Sequence, residues 1–297
     1  MPEQEIEMQG AAVFSEKVCE LGEGPSYDPA TDTLYWFDIV RRKLLEKRLS
    51  SRETRVHDLP EMASAIAVID QARQLLLTET GFYIRDRHSG KLTLHTRLEA
   101  DDPSTRSNDA RVHPCGALWG STMGKRGEDK AGSIYWFFRG EVRRIFPLIT
   151  IPNSICFSPD GTVAYFADTR PNILWRVECD PSTGLPKGEP KVFADHKGRD
   201  GGFDGSVVDQ DGLLWNACWG GGSVNVYAPD GQFLRSHSVP ATQASCPAFV
   251  GANAGGLAVT TAWQGMDAEQ RKADPEAGKT FLLEVAVNGR HEPRVQI

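Results

Sequence analysis

The sequence predicts an all-β protein, a six-bladed β-propeller whose ring is closed by strands from the N- and C-terminal ends. Three observations lead there: two short apolar elements recur six times, tight-turn chemistry separates them, and helical patterning is almost absent.

The first recurring element is a turn followed by an apolar run. It reads DTLYW at 32–36, RQLLL at 73–77, GALW at 116–119, GTVAY at 161–165, GLLW at 212–215 and GGLAV at 255–259. With Leu34, Leu75, Leu118, Val163, Leu214 and Leu257 taken as equivalent, successive copies stand 41, 43, 45, 51 and 43 residues apart. The second element follows each copy and opens another strand: KLL at 43–45, GFYI at 81–84, GSIY at 132–135, NILW at 172–175, GSVNV at 222–226 and KTFL at 279–282. The turns SPDG at 158–161, DQDG at 209–212 and APDG at 228–231 carry the residues of tight hairpins. Short strands at even spacing, joined this way, are the pattern of propeller blades.

The run at 11–18 precedes the first copy and can supply the outer strand of the blade otherwise built from the C-terminal segment. One helical signal stands out, DAEQRKA at 267–273, with Asp267 as cap and Pro275 as terminator. It falls between the two elements of the sixth copy, so 266–279 reads as a surface insertion. The expectation is a single propeller domain over 1–297 with no linker, and a flexible lead over 1–10.

Composition narrows the functional classes. Glycine makes up 29 of 297 residues, above the usual figure of about 7% and suited to many turns. A net charge of −7 with no dense Lys/Arg patch argues against a nucleic-acid partner. Arg41, Arg42 and Lys43 are only three in a row and read as a solvated strand edge or turn. No window approaches the roughly 18 apolar residues of a membrane span, and the acidic start MPEQEIEMQG is unlike a signal peptide. These features predict a cytoplasmic protein without a membrane partner, a monomer or weak homo-oligomer. The cysteines at 19, 115, 156, 179, 218 and 246 contain no CxxC pair, so they read as small buried apolar residues.

In a propeller the innermost strands line a central channel, and equivalent positions become neighbours at one mouth. Counting eight residues back from the hairpin glycine finds Asn108, Asn153 and Asp204; in the first copy the same count lands on Gly24, beside Glu23. The second and sixth copies place Ala65 and Pro247 there. Asp or Asn beside a turn is ordinarily a local cap, but four oxygen-bearing side chains in one register point further. Two carboxylates and an amide suit a hard divalent cation, with positions left for water or substrate. No His or Cys occupies the register, which disfavours a structural zinc site.

The sequences around these residues are LGEGPSYD, RSNDARVHPCGALWGSTM, IPNSICFSPDGTVAYFADT and FDGSVVDQDGLLWNACWGG. Together, over about residues 18–265, they resemble the senescence marker protein/regucalcin/gluconolactonase family of six-bladed propellers. The resemblance implies a metal-dependent lactonase. It implies Glu23, Asn153 and Asp204 as ligands of one divalent metal ion, Ca²⁺ or Zn²⁺ first, with Mn²⁺, Mg²⁺ and Fe²⁺ also tolerated. It implies Arg106 and Asn108 as contacts to the sugar lactone. One departure is local: Trp119 is followed by Gly-Ser-Thr-Met where the family commonly has an aromatic and Gly-Thr-Met.

The expected reaction is hydrolysis of a sugar (aldono)lactone to the aldonic acid, with Asp204 as candidate general base. Asp109 is a candidate supporting residue or a turn former. Trp119, Trp215 and Trp219 read as channel-edge or blade packing rather than sugar platforms, His57 and His113 as exposed, and Glu128 as a solvated loop acid. A Ser-His-Asp hydrolase fails on signature, since no GxSxG elbow occurs. The alternative class is a non-enzymatic calcium-binding regulatory or scaffold propeller.

Overall fold

The computed structural model describes residues 6, 7 and 10–297. Six antiparallel sheets follow one another around a ring. From inside outward, the first blade is Gly22–Asp28, Thr33–Asp38, Lys43–Arg48 and Arg55–Asp58, and the second Ala63–Val68, Arg73–Thr78, Gly81–Asp86 and Leu92–Arg97. The third is Thr105–Val112, Leu118–Gly124, Gly132–Phe138 and Glu141–Ile149, and the fourth Pro152–Phe157, Val163–Asp168, Ile173–Cys179 and Pro186–Asp195. The fifth is Gly202–Val208, Leu214–Trp219, Ser223–Tyr227 and Phe233–Ser238. The sixth joins Ala244–Val250, Gly256–Thr261 and Thr280–Leu283 to the N-terminal Ala11–Ser15 as its outer strand. Strands from both ends of the chain therefore close the ring, as the repeat pattern predicts.

Each recurrent apolar run is the second strand of its blade, buried on both faces because neighbouring blades pack against it. Trp36, Trp119 and Trp215 are at most 1% exposed, so the last two are blade packing. Aromatic pairs fasten blade to blade, with Phe82 stacked on Phe137 at 4.6 Å and Phe146 on Phe166 at 4.7 Å between ring centres. The three Pro/Asp/Gly turns end on Gly161, Gly212 and Gly231 with φ of 70°, 79° and 93°, the left-handed region that glycine enters without steric cost.

Asp267 caps the helix Ala268–Ala273 through a full capping box with Gln270, within the sixth-blade insertion. Of residues 1–10, expected to be flexible, Ile6–Glu7 run parallel to Phe233–Ser238; the others, Gly10 apart, lie outside the described residues. No helix among the described residues is long and apolar enough to cross a membrane. All six cysteines are free, and five are buried.

Two features depart from the sequence reading. His113 is fully buried, not exposed: its Nε2 lies 2.9 Å from the Gly161 carbonyl and its ring meets Phe157 edge-on at 4.9 Å. His57 is partly exposed, with Nε2 3.5 Å from the Glu46 carboxylate. Second, the chain continues past the last blade strand. Residues 284–297 form a strap across the channel end opposite the mouth where the inner strands begin. Backbone hydrogen bonds tie it to the fifth, second and third blades: Gln210 N to Asn288 O at 2.8 Å, Val295 N to Val68 O at 2.9 Å and Gln296 N to Gly116 O at 2.9 Å.

His196, on the loop entering the fifth blade, stacks on Phe203 at 4.2 Å and has its Nε2 2.9 Å from the Tyr227 hydroxyl. Burial holds this imidazole down at about 4, whereas in the unfolded chain it titrates near 6.5. The unfolded chain therefore takes up the proton first as the solution is acidified. This contribution to stability is complete above about pH 6.5 and is lost as pH falls toward 4. Urea unfolding of wild type and His196→Gln at pH 7.5 and 4.5 should show wild type losing on the order of 2 kcal/mol more than the variant. Equal losses would contradict it.

Candidate functional site

Near its start, every inner strand breaks the hydrogen-bond ladder to its neighbour at the same depth. The shifts fall between Glu23 and Ser26, Ala63 and Ala65, Ser107 and Ala110, Asn153 and Cys156, Phe203 and Ser206, and Ala244 and Cys246. A bulge frees residues from pairing and re-aims their side chains, here into the channel mouth. Glu23 and Asn153 are the last paired residues before the break, each followed by a residue in the left-handed region, Gly24 and Ser154, both at φ 57°. Asn108 and Asp204 lie within the break itself.

The four side chains therefore occupy two adjacent register positions rather than one. The eight-residue count aligned Asn108, Asn153 and Asp204 because the fourth blade has one residue fewer between its bulge and its turn glycine than the third and fifth, and for the same reason it fell one residue past Glu23 in the first. A second pattern, invisible to that count, ties alternate blades together. Ser64, Ser154 and Ser245 recur about every 90 residues, and each donates its hydroxyl to a carbonyl of the next blade, on Asn108, Asp204 and Gly22 respectively.

The five residues singled out from the sequence, Glu23, Arg106, Asn108, Asn153 and Asp204, line one pocket of about 190 Å³. That is room for several waters or one small molecule. Met123, Ile151 and Trp219 form its apolar wall, and Thr169 and Gln264 add polar atoms. Trp219, read from the sequence as channel-edge or blade packing, borders the pocket and so takes the channel-edge place. Glu128 does not reach it, and accepts from Arg126 instead.

A continuous hydrogen-bond chain fixes the amides. Arg106 Nη1 donates to Asn108 Oδ1 at 2.8 Å, and Asn108 Nδ2 donates to Asn153 Oδ1 at 2.8 Å and to the Pro152 carbonyl at 2.9 Å. Asn153 Nδ2 donates to Thr169 Oγ1 at 2.8 Å, which in turn donates to the Phe203 carbonyl at 2.6 Å. Each amide is thereby set with its oxygen and nitrogen distinguished.

The carboxylates are different. Glu23 Oε2 accepts from Gly24 N at 2.9 Å, and Asp204, 4% exposed, is held by its neighbour's backbone N–H. Among the described residues neither is in an ion pair. Burial, then repulsion by Glu23 and by Asp109, pushes Asp204 well above the usual carboxylate range; burial and Asp109 do the same to Glu23. Arg106 is lowered to about 10 by its own burial, against the pull of both acids, and stays charged at neutral pH.

Two buried like charges without a paired cation are an arrangement that a bound cation relieves. The donor set, two carboxylates and an amide oxygen, is all oxygen, so it fits a hard divalent ion. Among the described residues no three His, Cys, Asp or Glu side chains gather in that way; the set reaches three only through Asn153. Sequence reasoning assigned no role to Arg111, buried at 6% exposure below the pocket. Asp109 Oδ2 accepts from Ile155 N at 2.7 Å, which makes it a tie to the fourth blade rather than a turn former. Asp109 and Arg111, two residues apart on one inner strand, have the spacing of side chains on one face, the signal that could have placed both below the mouth.

Fold and site together define a class: a six-bladed propeller with a small acidic pocket at one mouth. The chain belongs to the SMP-30/gluconolactonase/LRE-like family, whose model matches residues 21–263. It is 53% identical, over 96% of both chains, to a protein of Rhizobium meliloti (strain 1021) provisionally named a sugar lactone lactonase. It is 34% identical to the L-arabinolactonase of Azospirillum brasilense, over 95% of this chain and 94% of that one. Among solved structures it matches a calcium-binding protein, regucalcin, from Agrobacterium tumefaciens strain C58, with a TM-score of 0.96 and 48% identity over 97% and 98% of the two chains.

Proposed function

We propose that the protein hydrolyses a sugar (aldono)lactone to the corresponding aldonic acid, using one divalent cation held by Glu23, Asn153 and Asp204. The observation that supports this best is the convergence of two unpaired buried carboxylates, a fixed amide, Arg106 and Asn108 on a pocket with room for one small molecule. Relatives named for lactonase activity support the same reading.

When bound, a divalent cation supplies Lewis-acid stabilisation of the negative charge that develops on the lactone carbonyl oxygen. Arg106 and Asn108 orient the ring through its hydroxyls, and Arg106 also faces the carboxylate that forms. Asp204 accepts a proton from the attacking water as the water oxygen bonds to the carbonyl carbon. The ring carbon–oxygen bond then breaks, and the proton passes from Asp204 to the departing ring oxygen, leaving a hydroxyl. The new acid ionises in solution, so each turnover releases one proton. Met123, Ile151 and Trp219 limit the water that reaches the carbonyl.

A panel of pentono- and hexonolactones followed with a pH indicator tests the assignment. The expected result is turnover on at least one aldonolactone. Divalent-cation binding without turnover on any lactone would reject it and favour a calcium-binding regulatory propeller, the reading that the likeness to regucalcin keeps open.

A further inference from the structure

Beneath the pocket, Arg111 stands in the channel core. Its guanidinium reaches the inner strands of three other blades, donating to Pro25 O at 3.5 Å, Ser206 O at 3.4 Å and Cys246 Sγ at 3.4 Å. Its fourth partner comes from the far end of the chain. The C-terminal strap turns Glu292 into the channel, where the carboxylate closes an ion pair with Arg111 Nη1 across 181 residues of sequence. The strap is anchored on either side of this point. Arg290 donates to Val208 O at 3.0 Å and Phe157 O at 2.6 Å, and His291 Nε2 lies 2.9 Å from Gly251 O.

The channel therefore carries a buried column of charge, with Glu23 and Asp204 at the mouth, Asp109 and Arg111 below them, and Glu292 sealing the bottom. Arg111 sits close below the mouth: Pro25 and Ser206, whose carbonyls it binds, are each two residues along the chain from a proposed ligand, Glu23 and Asp204. Without a counter-ion that guanidinium would repel a divalent cation about twice as strongly as a monovalent one at the same place, since the energy scales with the product of the charges. We propose that Glu292 is a positioning residue of the cation site, acting through Arg111, whose charge it neutralises and whose guanidinium it holds at the bottom of the channel. This inference rests on the divalent-cation reading of the pocket.

Calorimetric titration of Ca²⁺ and Mn²⁺ into the chelated full-length protein at one pH and ionic strength tests it. Glu292→Gln should bind about tenfold more weakly than wild type, while Glu292→Asp, which keeps the charge, should bind as wild type does. The double variant Glu292→Gln/Arg111→Met, which removes both charges, should recover wild-type affinity, and Arg111→Met alone should bind no more weakly than wild type. A purely structural strap would not produce that recovery. Unchanged affinity in folded Glu292→Gln, no recovery in the double variant, or weaker binding by Arg111→Met overturns the inference while the cation reading stands. If Glu292→Gln does not fold, the Arg111→Met titration decides. A wild-type protein that binds neither ion overturns both.

Discussion

Replacing Asp204 by Asn should lower kcat/KM for the best aldonolactone by at least about a thousandfold, as expected for losing a proton acceptor and a cation ligand together. The cation-free variant should nevertheless be no less stable than cation-free wild type. Burial and the charges of Glu23 and Asp109 disfavour the ionised form of Asp204, so its uncharged isostere Asn removes an electrostatic cost from the cation-free fold. Wild type should gain stability on addition of a divalent cation by linkage, about 2.7 kcal/mol at a hundredfold excess over Kd, and the variant should gain almost none. Retention of a tenth of wild-type activity, or a marked loss of apo stability, would show that Asp204 serves packing rather than chemistry.

Gly24→Ala should produce the largest stability loss of any single methyl addition at the mouth. Gly24 sits at φ 57°, and a Cβ there would lie 1.9 Å from the Ser64 carbonyl oxygen and 3.3 Å from Phe37 Cδ2. The left-handed conformation alone costs alanine about 1 kcal/mol. The clash with backbone requires the first and second inner strands to separate, which brings the total to about 3 kcal/mol or more. The same shift moves Glu23, whose carboxylate is held by Gly24 N, and loosens the Ser64 tie to Asn108. A displacement near 1 Å in such a site can cost about a hundredfold in rate. Gly90→Ala is the matched control, since its φ is 71° with nothing within 4 Å of the added carbon. Equal thermal shifts in the two variants would show that the contact with Ser64 is not limiting.

The ring was legible because propeller blades repeat. Leu34, Leu118 and Leu214 share an environment, and equal environments select equal residues at equal spacing. The pocket was legible for a related reason, since residues entering equivalent strands meet at one mouth; Glu23, Asn108, Asn153 and Asp204 do so. The finer register was not. Whether a residue precedes or lies within a bulge depends on backbone pairing, and the shorter hairpin of the fourth blade disguised the difference between Asn153 and Asp204.

His113 was misjudged because His-Pro reads as a surface turn, while the neighbouring blade covers it through Phe157 and Gly161. Trp219 differs from Trp215 only by its place at the upper end of the strand, where packing gives way to the pocket. The strap lay beyond reach for a different reason. It has no periodic pattern, and the partner of Arg111 is fixed by closure of the whole ring, not by any local sequence.

Lactone opening by this chain should depend on a divalent cation shared by Glu23, Asn153 and Asp204. The direct measurement is aldonolactone hydrolysis by protein stripped with a chelator, before and after single divalent ions are restored. The stripped protein should turn over no faster than the uncatalysed background, and activity should return with about one equivalent of ion per chain. Full activity in the stripped protein would contradict it.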